Sequence, residues 1–272
     1  MYGLQFVNNQ GIVVSMFNHF QNCGGVVQLC TTRIGGVSTG CYTSLNLTTS
    51  TGDLQTAVDE NYDILANAYG FSKAQIVSSH QVHEDAIFTV DEEYLNRNRQ
   101  NAAARITADG LITNVPGVVL TKGMADCVTI ALYDPCKKAI ANVHSGWRGT
   151  ILHIITKAVE KMTAQYGTNP KDVLCGIGPA IGSCCYEVDE DLAQRFVNEF
   201  GAECTVRNGQ SEKPKLDLVY CIQKDLQQAG IVSANIENVN HCTHCNEELY
   251  YSHRRNGLLR GGMISLIGLV TT

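Results

Sequence analysis

Apolar runs a few residues long alternate with longer amphipathic stretches, the pattern of an α/β protein. Residues 11–17 and 25–30 are apolar runs closed off by turn residues, which predicts two strands of an opening β unit. Between 53 and 69, Leu54, Ala57, Val58, Ile64, Leu65 and Ala68 recur at helical spacing, and Gly70 stands where a left-handed residue ends a helix. A second helix is predicted over 150–166, where Ile151, Ile154, Ile155, Ala158, Val159 and Met162 share one face and Gly167 follows. Strands are expected at 76–82, 118–122, 128–133, 138–143, 173–177 and 263–270, and helices at 190–200 and 216–229. The polar stretch 96–105 reads as an exposed insertion loop. No internal repeat breaks the pattern, so one α/β domain over residues 1–272 is expected.

Polar groups interrupt this pattern at strand ends. Gln81-Val82-His83, Ala125-Asp126-Cys127 and His144-Ser145-Gly146-Trp147-Arg148-Gly149 offer two imidazoles and one thiol. Two His and one Cys are the donor set of an open metal site, three protein ligands with a position left for water or substrate. Each residue alone has a plainer reading, a packed Cys or a structural His; the collection of polar groups where burial would be costly is what favours a site. His80 is a less suitable ligand than His83, because in an extended segment the two point to opposite faces. Gly146 and Gly149 let the backbone approach a ligand, and the helix start beyond them could receive an anion; a simple tight turn is an equal reading. The glycines at 176–182 do not form a dinucleotide fingerprint, since Pro179 interrupts them.

Composition narrows the class. With 272 residues, 44% of them hydrophobic and 17% charged, the chain can bury a substantial core. A net charge of -6 with scattered Lys and Arg gives no broad cationic face for nucleic acid. The first residues lack a secretion signal, and no apolar run approaches the ~20 residues that span a bilayer, so a cytoplasmic protein without membrane partners is expected. The 12 cysteines are too many to ignore, yet a chain this long needs no disulfide scaffold, and Cys30, Cys175 and Cys221 sit in apolar stretches as small hydrophobes. Cys242-Thr243-His244-Cys245 resembles half of a structural zinc site; no second Cys-x-x-Cys follows, and partners would have to come from the distant Cys184-Cys185, so a structural or adventitious role is expected over a designed metal site. Tyr250-Tyr251-Ser252-His253-Arg254-Arg255 is a polar and aromatic cluster, either a solvated hairpin or a guanidinium fork for an anion.

The order of motifs is similar to that of the laccase-domain family, bacterial proteins called multicopper polyphenol oxidases by older naming and purine nucleoside phosphorylases by newer. The resemblance runs through Thr32-Arg33-Ile34-Gly35-Gly36-Val37-Ser38, Ser44-Leu45-Asn46-Leu47, Gln81-Val82-His83, Ala108-Asp109-Gly110, Ala125-Asp126-Cys127, His144 to Gly149, Gly178-Pro179-Ala180-Ile181-Gly182 and Ser252-His253-Arg254-Arg255. It implies a four-layer α/β/β/α sandwich with mixed sheets, and Zn²⁺ held by His83, Cys127 and His144, which would also be the catalytic residues, with Cu²⁺ as an alternative occupant. It further implies phosphorolysis of adenosine, inosine and S-methyl-5'-thioadenosine, adenosine deamination beside it, nucleosides and phosphate as partners, and a monomer or weak homodimer. Arg33, Asn46, Asp126, Arg148 and Arg255 match the remaining motifs and are expected to line or support the substrate site. His253 and Asn256 depart from the family pattern, which has Tyr and Asp at those places.

The chemistry asks for more than a metal. Deamination needs an acid to shuttle protons, for which Asp126 and Asp109 are the candidates, and phosphorolysis needs positive charge beside the anomeric carbon, from Arg33, Arg148 or Arg255. Three other classes compete, one of them a non-enzymatic binding module. A metal-free cysteine hydrolase would use Cys127 as nucleophile with His144 or His83 as base. A copper polyphenol oxidase is less favoured, because the 8 His include no His-x-His pair.

Overall fold

The computed structural model describes residues 5–100, 105–207 and 213–270. Two six-stranded sheets form its centre. In spatial order the first holds β1 (Gln5–Asn9), β2 (Ile12–Met16), β3 (Val26–Thr31), β14 (Met263–Leu269), β7 (Val119–Met124) and β4 (Ile76–Val77). The second holds β13 (Ile236–Asn238), β10 (Leu174–Ile177), β8 (Val128–Asp134), β9 (Ala139–Ser145), β6 (Gly110–Thr113) and β5 (Ile87–Thr89). Both sheets are mixed: β4 with β7, β5 with β6 and β10 with β13 are parallel pairs among antiparallel ones. β11 (Thr205–Val206) and β12 (Lys215–Leu216) make a separate short ribbon.

The helices are α1 (Asn18–Gln21), α2 (Gln55–Tyr69), α3 (Glu92–Gln100), α4 (Trp147–Ile151), α5 (Ile154–Tyr166), α6 (Glu190–Phe200), α7 (Leu218–Gln228) and α8 (His253–Asn256). Three apolar clusters define the layers. Leu29, Val119 and Leu266 of the first sheet pack against Leu65 and Ala66 of α2. Their chain neighbours Cys30, Leu120 and Ile267 point the other way and meet Ala131, Tyr133 and Ile140 of the second sheet. Ile130, Leu132 and Ala141, on the opposite face of that sheet, bury against Ile155 and Val159 of α5, Phe196 of α6 and Ile222 of α7. The result is helix, sheet, sheet, helix, the four-layer arrangement the family resemblance implies. Both faces of each central strand are covered, which is why these strands read as unbroken apolar runs. Truncating a fully buried side chain such as Leu132 to Ala is expected to cost ~2–5 kcal/mol.

A buried polar tie joins the sheets: Asn142 Nδ2 on β9 donates to Leu120 O at 3.0 Å and Ser265 O at 2.9 Å. Three expectations need correction. The strand expected at 76–82 stops at Val77, so His83 lies in a loop. The helix expected over 150–166 is α4 and α5, separated at His153, whose φ of 55° breaks the helical path. The expected loop at 96–105 begins as the end of α3, and residues 101–104 lie outside the described residues. Among the described residues no helix is long and apolar enough to cross a membrane.

Candidate metal centre

Between β7 and β8 the chain crosses from the first sheet to the second through Ala125-Asp126-Cys127, which puts Cys127 at the seam of the two sheets. Asp126 turns this corner with φ 97°. Its carbonyl accepts the Ile181 N–H at 2.9 Å, and its carboxylate accepts the Thr243 hydroxyl and the Arg254 N–H, each at 2.6 Å. His144 is buried on β9, paired across the ladder with Thr129 of β8. His83 arrives from the loop after β4 with φ 60°, a left-handed conformation uncommon for a non-glycine residue.

One carboxylate positions both imidazoles. Asp109 accepts the N–H groups of Val82, His83 and Glu84 at 3.0, 3.1 and 3.1 Å, which holds the His83 turn, and it faces His144 Nδ1 at 2.9 Å. A carboxylate at Nδ1 fixes the proton there, so Nε2 is the free donor atom of His144. The donor atoms of His83, Cys127 and His144 lie within 4.8 Å of one another. The two rings stand edge to face with centroids 4.9 Å apart. Gly146 leaves room for Cys127 and His83: a Cβ there would sit 3.1 Å from Cys127 Sγ and 3.3 Å from His83 Cδ2.

The electrostatics suit a soft divalent cation. Burial alone would raise the Asp109 carboxyl, but hydrogen bonds from His144 and the amides outweigh it and hold it at about 2, always an acceptor. Burial, with His83 and Lys122 nearby, lowers the His144 pKa despite Asp109, so the imidazole is neutral as a ligand must be. Burial and then Asp126 push the Cys127 thiol up to about 12. Such a thiol is inert at neutral pH unless a cation displaces its proton. The donor set, its neutral imidazole and its carboxylate support therefore fit zinc.

The three donors open on a cleft of about 330 Å³, lined also by Ser79, His80, Gln81, Arg105, Met124 and Arg260. Gln81 is pinned to β7, its amide donating to Gly123 O at 3.0 Å and accepting the Gly123 N–H at 2.7 Å. The buried Nε of Arg260 has no hydrogen-bond partner. Beneath the cleft Lys122 is almost fully buried, donating to Ser79 Oγ and to Ala108 O, and burial lowers its pKa to about 7.

Residues 27–270 match the family model described as multi-copper polyphenol oxidoreductase laccase. The chain belongs to this family. Among relatives of this laccase-domain chain is a purine nucleoside phosphorylase of Bacteroides thetaiotaomicron, 30% identical over 92% of this chain and 93% of the relative. A protein called adenosine deaminase RL5, from an unknown prokaryote, is 32% identical over 87% of this chain and 91% of its own length. A mouse purine nucleoside phosphorylase is 34% identical over 88% of this chain, which spans only 54% of that protein. The crystal structure of YlmD from Geobacillus stearothermophilus superposes with a TM-score of 0.88 at 31% identity, covering 99% of this chain and 100% of that one.

Of the metal-binding and substrate-lining residues that the resemblance implies, only the three donors line the cleft among the described residues. Asp126 and Asn46 are internal ties, Asn46 linking Thr48, Asp53 and Gly262. Arg255 clamps the carbonyls of Thr243, His244 and Tyr250. Arg33 borders a separate depression beside Tyr251, and Arg148 is exposed over Trp147. The cleft's own guanidinium groups, Arg105 and Arg260, were not singled out from sequence. Arg260-Gly261-Gly262 immediately before β14 carries the same signal as His83 and Cys127, a polar group at a strand edge beside small residues. The helix start that could receive an anion, a reading held equal with a simple turn, comes earlier than Gly149, since α4 begins at Trp147 and is only 5 residues long. Cys242 and Cys245, expected to lack metal-site partners, meet Cys184 and Cys185 with all four sulfurs within 4.8 Å.

Proposed function

We propose that this chain is a zinc-dependent purine nucleoside phosphorylase, acting on adenosine, inosine and S-methyl-5'-thioadenosine, that also deaminates adenosine, and that it works in the cytoplasm. The observation that carries this reading is the open His-Cys-His set at a cleft lined also by the guanidinium groups of Arg105 and the half-buried Arg260. Relatives named purine nucleoside phosphorylase and adenosine deaminase support the substrate class.

When bound, zinc supplies Lewis acidity at the vacant position. The protein's own groups do the rest. Arg260, with Arg105 at the mouth, binds phosphate and orients it toward the anomeric carbon. Asp109 holds both His side chains in place and, with its oxygens engaged by three amides and an imidazole, is no proton shuttle. Asp126 is likewise committed to Thr243 and Arg254. The proton for the departing base is therefore assigned to Ser79, which lines the cleft and would turn its hydroxyl from Ala108 O, to which it donates at 2.6 Å, with Lys122, whose pKa near 7 suits it to give a proton up, resupplying it. The metal-free hydrolase fits less well, because Cys127 has no thiolate without a cation. A polyphenol oxidase fits less well too, since His83 and His144 are the only imidazoles gathered into a donor cluster among the described residues.

The test is base release from inosine or S-methyl-5'-thioadenosine by metal-quantified protein, with and without phosphate. Phosphate-dependent release that Cys127→Ala abolishes is the expected result. Release indifferent to phosphate or to that substitution would overturn the reading, and ammonia from adenosine reports the deaminase branch.

A further inference from the structure

Four of the twelve cysteines gather away from the His83 cleft. Cys184 and Cys185 stand in a tight turn in which the N–H groups of Cys185 and Tyr186 donate to Gly182 O at 2.9 and 3.0 Å. A turn, unlike a strand, lets two consecutive side chains reach the same side. Cys242 and Cys245 come from a second turn, closed by Asn246, whose N–H and Nδ2 donate to Cys242 O at 3.2 and 2.8 Å. The two segments are laced together, the Ala180 N–H donating to His241 O at 3.3 Å and the Thr243 N–H to Ala180 O at 3.0 Å.

We propose that Cys184, Cys185, Cys242 and Cys245 bind one zinc ion as a tetrathiolate, a second metal centre whose role is structural. Three observations carry this. First, the separations suit one ion: all four sulfurs lie within 4.8 Å of one another, Cys245 Sγ standing 3.5 Å from that of Cys184 and 3.3 Å from that of Cys185. A tetrahedron with metal–sulfur bonds of about 2.3 Å has edges of ~3.8 Å. Second, packing does not explain the thiols. Cys30, Cys175, Cys204 and Cys221 are buried as small hydrophobes, whereas Cys184 and Cys245 are exposed and Cys185 and Cys242 half-buried, and all are free. Third, the surroundings are built for a metal-bound sulfur. The Gly182 N–H donates to Cys242 Sγ at 3.3 Å, and a Cβ on Gly182 would stand 3.3 Å from Cys184 Sγ, so glycine is what admits both.

The placement gives the site a function. Thr243, between two of the ligands, donates to one carboxylate oxygen of Asp126, and Ile181, just ahead of the other pair, donates to its carbonyl. Both cysteine-bearing segments thus grip the residue that precedes Cys127. A zinc here holds the left-handed corner that aims the Cys127 sulfur.

Metal analysis of protein isolated under reducing conditions tests this without relying on any activity. The wild type should carry about two zinc ions per chain, Cys127→Ala about one, and Cys242→Ser/Cys245→Ser about one. In Cys127→Ala, titration with a mercurial should release the remaining zinc as the four thiols of this site react, beyond those of the exposed Cys41 and Cys136, a measurement that leaves all four ligands unsubstituted. Cobalt loaded into Cys127→Ala should show an intense thiolate-to-metal charge-transfer band. The proposal fails if Cys127→Ala is metal-free with all four thiols reactive. It fails equally if mass spectrometry of the isolated protein finds a disulfide among them, or if the bound metal is iron.

Discussion

Gly146→Ala isolates the geometric demand of the His83–Cys127–His144 centre. Gly146 has φ -83° and ψ -174°, which alanine adopts freely, so the backbone raises no objection. The added methyl would stand 3.1 Å from Cys127 Sγ and 3.3 Å from His83 Cδ2. Heavy atoms of this kind rest at ~3.5–4.0 Å, so the sulfur must retreat by roughly 0.5 Å and the ring by a few tenths. Metal–ligand distances tolerate only about 0.2 Å. Zinc affinity at this centre is therefore expected to fall ~10–100-fold, about 1.4–2.8 kcal/mol. Stability without metal should change by less than about 1 kcal/mol, the entropic gain of replacing glycine offsetting part of the contact. Competition for zinc against a chromophoric chelator, in the Cys242→Ser/Cys245→Ser background, measures the affinity, and urea unfolding in a chelator measures the stability. Undiminished zinc affinity would refute the placement of both donors around Gly146.

Asp109→Asn should remove a pH-dependent contribution: the depressed carboxyl stabilises the fold above about pH 4 and loses that effect as pH falls through about 2, a difference of ~2.5 kcal/mol read by urea unfolding across that window. Arg260→Met should lower kcat/KM for phosphate ~10–100-fold with zinc content unchanged, seen in initial rates against phosphate concentration. Lys122→Met should abolish a decline in kcat/KM above about pH 7. It should also flatten the rise in stability between about pH 7 and 10.5, where the unfolded wild type holds a proton that the buried amine has shed.

The parts of this molecule legible in sequence are those with a long period or a covered surface. α2, α6 and α7 were read near their observed bounds because one face of each is buried in a cluster, and β7, β8, β9 and β14 because both faces are. β1, β5, β6 and β13 were missed: they run 3–5 residues, and their pairing is decided by neighbours distant in sequence. The same division applies to the site. His83, Cys127, His144 and Arg260 all stand as polar groups at strand ends, but an arginine's charge alone does not single out Arg260, since Arg33, Arg148 and Arg255 carry equal charge and lie elsewhere. Cys184 and Cys242 are 58 positions apart, a separation that no local pattern bridges.

Each donor of the cleft depends on a different piece of the two-sheet stack. His83 follows β4 and Arg260 precedes β14, both of the first sheet; His144 belongs to β9 of the second, and Cys127 lies on the crossing between them. Sliding one sheet over the other would part the ligands and separate them from Arg260. The register is held by the apolar layer between the sheets and by Asn142, whose side chain reaches from β9 to carbonyls of β7 and β14. Losing a paired, buried amide costs about 1–3 kcal/mol in stability. A metal held by His83, Cys127 and His144 would bridge what Asn142 aligns, so its binding and sheet packing would be linked free energies, and ion binding would stabilise the same inter-sheet register that the buried amide selects.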